Sequence, residues 1–221
     1  MKIGMLGSGE VGRVLGRSLV GLGHQVVMGS RTPGGRAAEW AAGLGPNAST
    51  ATPGEVAREG ELLINALRGA ASLEVIGSFP AADVAGKILI DIANNFGFSG
   101  SVPTVDMPQT DSLAERLQRA APGLRVVKAL NTMNVRVMVA PASLAGPHDL
   151  MLCGDDAAAR AAVAGYLRDW FGWASVVDLG PLEAARGLEA YLGLWLRLRL
   201  TLGTSLFNIH VARQRGEAAS A

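Results

Sequence analysis

Near its start the chain reads Gly7-Ser8-Gly9-Glu10-Val11-Gly12, three glycines at G-x-G-x-x-G spacing behind a short apolar run at 2–6. Val14, Leu15, Leu19 and Leu22 then recur at helical spacing. A strand, a tight turn and a helix in that order suit a pyrophosphate. Gly7 permits the turn, Gly9 lets phosphate approach the backbone, and Gly12 lets the helix pack close to the strand. The unpaired N–H groups at the helix start would face the anion. The next apolar run, 25–28, ends in Gly29-Ser30-Arg31-Thr32, with Arg36 just beyond. An NAD site usually places a carboxylate here to bind the ribose 2′-hydroxyl. This chain offers hydroxyl and guanidinium groups instead, which suit a 2′-phosphate dianion that Arg can engage through two parallel bonds. The expected cofactor is therefore NADP(H), held by Gly7, Ser8, Gly9, Glu10, Val11, Gly12, Ser30, Arg31, Thr32 and Arg36.

The remaining strand ends offer mostly amides and small or apolar residues. The run at 62–66 leads into Leu67-Arg68, the run at 87–92 into Asn94-Asn95, and the run at 125–130 into Asn131-Thr132-Met133-Asn134. In an open α/β sheet, ligands bind beyond the carboxyl ends of the strands. Ala66, Leu67 and Arg68 are expected against the cofactor, and Asn94, Asn131, Thr132 and Met133 against the nicotinamide or its acceptor. Asn94, Asn95 and Asn134 also suit plain turn roles, since Asn tolerates left-handed backbone. Histidines stand only at 24, 148 and 210, and no metal-ligand spacing occurs. No metal and no catalytic acid or base is expected. Cys153 reads as a buried strand residue, Asp155 and Asp156 as helix caps, and Glu183, Arg186 and Glu189 as partners in i, i+3 ion pairs on one helix face. The Tyr-to-Lys pair of short-chain dehydrogenases is absent, because Tyr166 is followed at that distance by Trp170 and Tyr191 by Trp195.

The elements that must position these residues alternate strand and helix along the chain. That pattern predicts an α/β fold with a doubly wound, mostly parallel, Rossmann-like sheet. The expected division is an NADP-binding domain at 1–147 and a small C-terminal extension at 148–221. The extension ends in a long helix from about 182 toward 207. Leu188, Leu192, Trp195, Leu196, Leu202, Leu206 and Phe207 make that helix apolar around much of its circumference. A surface helix usually shows one apolar stripe, so this one is expected to pack against a second copy in a homodimer. Residues 101–111 read as irregular and 213–221 as disordered.

Of the 221 residues, 49% are hydrophobic and 18% charged, with net charge +1, which describes a soluble globular chain and argues against nucleic acid as a partner. A single cysteine excludes an internal disulfide framework and fits a reducing cytosol. No secretion signal is expected, and Arg197 and Arg199 interrupt the apolar stretch 191–207, so no membrane span is expected either. A cytoplasmic location follows as an expectation.

Several stretches together are similar to one family. They are Gly7 to Gly12, Gly29-Ser30-Arg31, Val127-Lys128-Ala129-Leu130-Asn131-Thr132, Cys153-Gly154-Asp155-Asp156, and Asp178-Leu179-Gly180-Pro181-Leu182 continuing to Arg186. In order, and over nearly the whole chain, they resemble the NADPH-dependent deazaflavin-coenzyme reductases and the related cytosolic domains of STEAP metalloreductases. The resemblance implies hydride transfer between NADPH and a flat tricyclic acceptor, in a dimer. The chain departs from the family at Asn65-Ala66-Leu67-Arg68, at Asn131-Thr132-Met133-Asn134 and in the loop from Asn94 to Ser99, so the acceptor half matches less well than the phosphate half. Deazaflavin, flavin, a ferric chelate and a quinone all stay open as acceptors. The alternative from another class is a non-catalytic NADP-binding regulator.

Overall fold

The computed structural model describes residues 1–99, 102–105 and 110–214. Residues 215–221 of the expected disordered tail, and 101 and 106–109 of the expected irregular stretch, lie outside the described residues. The elements run β1 (Lys2–Leu6), α1 (Glu10–Gly21), β2 (Gln25–Gly29), α2 (Arg36–Ala42), β3 (Ala48–Ala51), α3 (Pro53–Glu59), β4 (Leu62–Asn65), α4 (Gly69–Gly77), α5 (Ala81–Val84) and β5 (Ile88–Asp91). They continue with β6 (Phe96–Ser99), β7 (Val102–Val105), α6 (Leu113–Ala120), β8 (Arg125–Ala129), α7 (Val135–Val139), β9 (Leu150–Cys153), α8 (Ala157–Phe171), β10 (Val176–Asp178) and α9 (Ala185–Leu202).

Eight strands form one sheet in the order β10-β9-β8-β5-β4-β1-β2-β3. The six strands from β3 to β8 are mutually parallel, which is the doubly wound dinucleotide-binding order. The fold is thus α/β and Rossmann-like, as the alternation of elements predicts. The reversal at the far edge is new. β9 pairs antiparallel with β8, and β10 runs parallel to β9.

Central parallel strands covered on both faces must be apolar on both. β4 and β5 are fully buried along their length. Alternate residues serve opposite layers: Leu62, Ile64, Ile88 and Ile90 pack with α1, α7 and α8, whereas Leu63 and Leu89 pack with α3, α6 and α9. The 147/148 division falls just before β9, and the sheet and both core layers run across it.

Helix starts follow their caps. Thr52 and Glu55 form a reciprocal capping box on α3, with Pro53 in its first turn. Ser112 caps α6, and Asp156 caps α8 by accepting the Ala159 N–H (2.7 Å). Asp155 has a different role from the one its position suggests: its Oδ1 accepts the Leu182 N–H (2.9 Å), tying the start of α8 to the segment before α9. The last helix is shorter than its apolar pattern implies. Gly203, at φ 65°, stops it, and Leu206 and Phe207 lie beyond. Part of the stretch expected to be irregular is instead a hairpin, β6 pairing antiparallel with β7. Among the described residues no helix is long and apolar enough to cross a membrane.

Candidate functional site

Strand register brings the candidate residues to one edge. Leu6 is level with Gly29 and Asn65, Asn65 with Asp91, and Asp91 with Lys128. The segments that follow, starting at Gly7, Ser30, Ala66 and Ile92, therefore leave the sheet side by side. The crevice lies between β1 and β4, where the strand order reverses direction, and that is where such sheets bind ligands.

Each glycine of the turn has its own steric reason. Gly7 has φ 113°, and a Cβ there would stand 2.6 Å from the Ala66 carbonyl oxygen. A Cβ on Gly12 would stand 2.0 Å from the Gly7 carbonyl oxygen, so α1 sits on the turn as closely as backbone allows. Gly9 has no atom within 4 Å of where a Cβ would be. Its missing side chain leaves open space at the mouth of α1, whose N-cap is Gly9 and whose first N–H groups receive no side-chain cap. Arg13 Nη1 donates to the Ser8 carbonyl (2.7 Å) and braces the turn from within the helix.

At the end of β2, Ser30 Oγ donates to the Thr32 carbonyl (2.8 Å) and accepts the Thr32 N–H (3.3 Å), a closed serine turn. Thr50 Oγ1 holds the loop by donating to the Pro33 carbonyl (2.9 Å). Arg31 and Arg36 project from it exposed, and no carboxylate pairs with either among the described residues. Free guanidinium groups, an open glycine step and an uncapped helix start together fit a dinucleotide carrying a 2′-phosphate.

Beyond the turn a cavity of about 550 Å³ opens. Gly9, Glu10, Val11, Ala66, Leu67, Arg68, Asn94, Asn131 and Met133 all line it, so the structure unites most of the expected residues. Ser30, Arg31, Thr32 and Arg36 stand outside it, at the β2 end. Thr132 is buried and is not part of its wall. The far wall is one that sequence reasoning missed: Met138 from α7 and Leu192, Trp195 and Arg199 from α9. The apolar spacing of α9 was the available signal, and it pointed toward an interface rather than toward the site.

Asn131 follows Leu130, the one non-glycine with positive φ (63°) among the described residues. A left-handed leucine is unfavourable and persists only where its surroundings impose it. Here it ends β8 and turns Asn131 toward Asn94. Asn131 Nδ2 donates to Asn94 Oδ1 (3.0 Å) and to the Leu188 carbonyl of α9 (2.9 Å), while Asn94 Nδ2 donates to the Asn131 carbonyl (2.8 Å). Because a backbone carbonyl can only accept, both amides have a fixed orientation. Asn131 Oδ1 is left buried with no partner.

Beneath the cavity floor lies a buried charge cluster. Lys128 Nζ donates to Asp91 Oδ2 (2.8 Å), to Glu189 Oε1 (2.9 Å) and to the carbonyl of Ala93, and all three charged side chains are at most 1% exposed. Asp91 Oδ1 also accepts from Asn65 Nδ2 (2.7 Å) and the Ala93 N–H (3.2 Å). Two carboxylates face one ammonium. The surplus negative charge meets the start of α6, whose Leu113 and Ala114 N–H groups donate to Glu189 (2.8 and 3.1 Å) at the positive end of the helix dipole. Burial alone would push the lysine toward neutrality, but Asp91 and Glu189 outweigh it and hold its pKa above the ordinary lysine range. The expected i, i+3 pairs on α9 are thereby corrected: Glu189 pairs with Lys128, and Arg186 pairs with Glu115 of α6 (2.6 Å). Partners offered by tertiary packing replaced those along the helix. Cys153 is buried, and burial raises its thiol pKa to about 12, so it stays protonated.

A groove of about 970 Å³ adjoins the cavity, sharing Glu10, Asn134 and Arg199 with it. Arg136 and Arg197 also line it, and its outer wall is the segment after Gly203. That segment folds back as a strap. Ser205 Oγ meets Asn134 Nδ2 (3.0 Å), and the Phe207 ring stacks on Trp195 at 5.7 Å. Asn208, Ile209, His210 and Val211 all bond to Asp149 at the head of β9.

The chain is similar to known proteins over most of its length. Residues 2–95, which hold the glycine turn and the β2 end, match the family model described as NADP oxidoreductase, coenzyme F420-dependent. A crystal structure from Arthrobacter sp. FB24, named as a candidate F420-dependent NADP reductase, is 43% identical, covers 96% of this chain and 100% of its own, and superposes with a TM-score of 0.90. Metalloreductase STEAP3 of Rattus norvegicus is 35% identical over 195 residues, 86% of this chain, and the chain spans 36% of that protein's length. A hypothetical protein, SMa0349 of Sinorhizobium meliloti, shares the fold at 23% identity, with a TM-score of 0.68 over 84% of this chain and 87% of its own. With a glycine turn, a basic β2 end and a full-length relative all in agreement, the chain belongs to the family of coenzyme F420-dependent NADP oxidoreductases.

Proposed function

We propose that the chain passes a hydride between NADP(H) and a flat deazaflavin or flavin ring, acting as a homodimer in the cytosol. The observation that carries this reading is the cavity itself. It runs from the glycine turn to α9, and among the described residues its only titratable lining residues are Glu10, Arg68 and Arg199. Hydride transfer asks for two rings held close and dry rather than for proton relay. NADPH, when bound, supplies the hydride. The chain's part is to hold the phosphates on the glycine turn, to grip the 2′-phosphate with Arg31 and Arg36, and to exclude water with Ile92, Met133, Val135, Met138 and Leu192. The adjoining groove has room for the rest of a large acceptor. Arg136, Arg197 and Arg199 outnumber Glu10 among its charged lining residues, and none of the three has a carboxylate partner among the described residues, which favours an acceptor with anionic substituents. The free and buried Cys153 supports a reducing location. Dimer formation is supported by Leu194, Leu200 and Leu202, more than half exposed along α9.

Anaerobic oxidation of NADPH, followed at 340 nm against coenzyme F420, FMN, FAD, a ferric chelate and a quinone, tests the reading. Fastest turnover with F420 or a flavin is expected. Turnover with the ferric chelate alone would move the chain toward the metalloreductases. NADPH binding with no turnover on any acceptor would favour a regulator. Light scattering should give a dimer at micromolar concentration, and a monomer would refute that part.

A further inference from the structure

Four buried side-chain polar atoms have no hydrogen-bond partner among the described residues: Asn131 Oδ1, Tyr191 Oη, Trp195 Nε1 and Asn208 Oδ1. Native proteins leave few such atoms unpaired. Two of the four belong to residues that line the cavity, and they are of opposite kind. Asn131 Oδ1 can only accept, and Trp195 Nε1–H can only donate. Neither is free to turn away. Both N–H bonds of the Asn131 amide are committed, to Asn94 and to the Leu188 carbonyl, which leaves its oxygen as the unsatisfied end. The Trp195 ring is stacked against Phe207 and has the Arg199 guanidinium 6.0 Å from its centroid. Tyr191 and Asn208 are not among the residues lining the cavity.

We infer that Asn131 and Trp195 form a two-point clamp for an amide edge, and that its ligand is the nicotinamide carboxamide. Asn131 Oδ1 accepts from the carboxamide NH₂, and Trp195 Nε1–H donates to its carbonyl. The pair thereby fixes the rotation of the nicotinamide ring and the face shown to the acceptor. The inference rests on the dinucleotide reading above. The imide edge of a flavin-type ring carries the same donor and acceptor chemistry, so the test must separate the two sources.

Dissociation constants of NADP⁺ and of its 3-acetylpyridine analogue, measured by calorimetry, do so without turnover. The analogue keeps the carbonyl and lacks the NH₂. Wild-type protein should bind it about tenfold more weakly, the loss of one hydrogen bond in a dry site. Asn131→Ala should narrow that gap to about twofold or less by the same reasoning. Trp195→Phe, which keeps a stacking ring and removes only the donor, should weaken both ligands by a similar factor. Equal binding of the two ligands by the wild type overturns the clamp even if Asn131→Ala fails to fold. A gap that survives in Asn131→Ala, or Trp195→Phe affinities equal to wild type, overturns it as well. If the gap is untouched while the variants raise the KM for a flavin acceptor, the amide edge belongs to the acceptor and the assignment to nicotinamide is wrong. Failure of NADP⁺ itself to bind would sink the dinucleotide reading, whereas tight and equal binding of both ligands sinks only the clamp.

Discussion

Glu189→Gln tests the buried charge cluster and, through it, the placement of α9. The substitution keeps shape and removes charge. Glu189 Oε1 receives both Lys128 Nζ (2.9 Å) and the Ala114 N–H (3.1 Å), and Oε2 receives the Leu113 N–H (2.8 Å). A glutamine that keeps its oxygen toward Lys128 points its NH₂ at the Leu113 N–H, donor against donor. Removing one partner of a buried ion pair costs about 3–5 kcal/mol. Lys128 retains Asp91, which places this term at the low end, and the stranded Leu113 N–H adds about 1–3 kcal/mol. A loss of roughly 4–6 kcal/mol is expected, equivalent to about 8–24 °C in melting temperature for a chain of this size. Scanning calorimetry at neutral pH measures it. Glu183→Gln, on an exposed residue close to the start of the same helix, is the control and should stay within about 0.5 kcal/mol. A Glu189→Gln protein that melts within about 2 °C of wild type would show that the charge of Glu189 contributes no net stability, and would refute this reasoning.

Arg31→Ala should erase most of the preference for NADPH over NADH, a loss of about 10- to 100-fold in the ratio of dissociation constants for one charged hydrogen bond; equal constants in the wild type would refute the 2′-phosphate assignment. Gly9→Ala has open space around its new methyl and should fold normally while NADPH affinity falls, whereas Gly12→Ala should lower the melting temperature because its Cβ meets the Gly7 carbonyl at 2.0 Å. The opposite ranking in thermal melts would contradict the steric account of the turn. The acid limb of stability should depend on Glu115 and Asp149. Arg186 and Ser112 hold Glu115 below the usual carboxylate range, outweighing burial. At Asp149, burial raises the pKa, but bonds from Ser175, Val211 and His210 outweigh it and leave it lowered. Depressed carboxylates give stability that is present above about pH 4 and lost as pH falls through their folded values. The melting temperature should therefore drop on acidification, and Glu115→Gln should flatten that slope. Lys128 has the opposite sign: its contribution is complete below about pH 10.4 and lost only as pH rises through its elevated folded value.

The glycine turn and the basic end of β2 were legible in the sequence because the residues that form them lie close together in the chain. Gly12 has no space for a methyl because the Gly7 carbonyl of its own turn stands there, and the basic loop directly follows β2, whereas the close approach of Gly7 to Ala66 comes from strand packing. The far wall of the cavity was not legible, since Leu192 and Trp195 reach it through the docking of α9, where Glu189 meets Lys128 far away in the chain. β3 escaped notice because Ala48-Ser49-Thr50-Ala51 is a partly exposed edge strand with weak apolar character. The direction of β9 and β10 carries no signature in residue type. The length of α9 was overestimated because leucines and Phe207 continue the apolar pattern past Gly203, and a pattern of hydrophobicity does not report the φ angle that ends a helix.

The strap hooked on Asp149 gives this architecture an evolutionary division of labour. The glycine turn and the basic end of β2 lie within the first 36 residues, while the far wall of the cavity and groove is largely assembled from α7, α9 and the segment that returns to Asp149. Few side chains belong to both. Changes confined to this late, surface-running segment, fastened at Asp149, Asn134 and Trp195, would redraw that wall and leave the glycine turn intact.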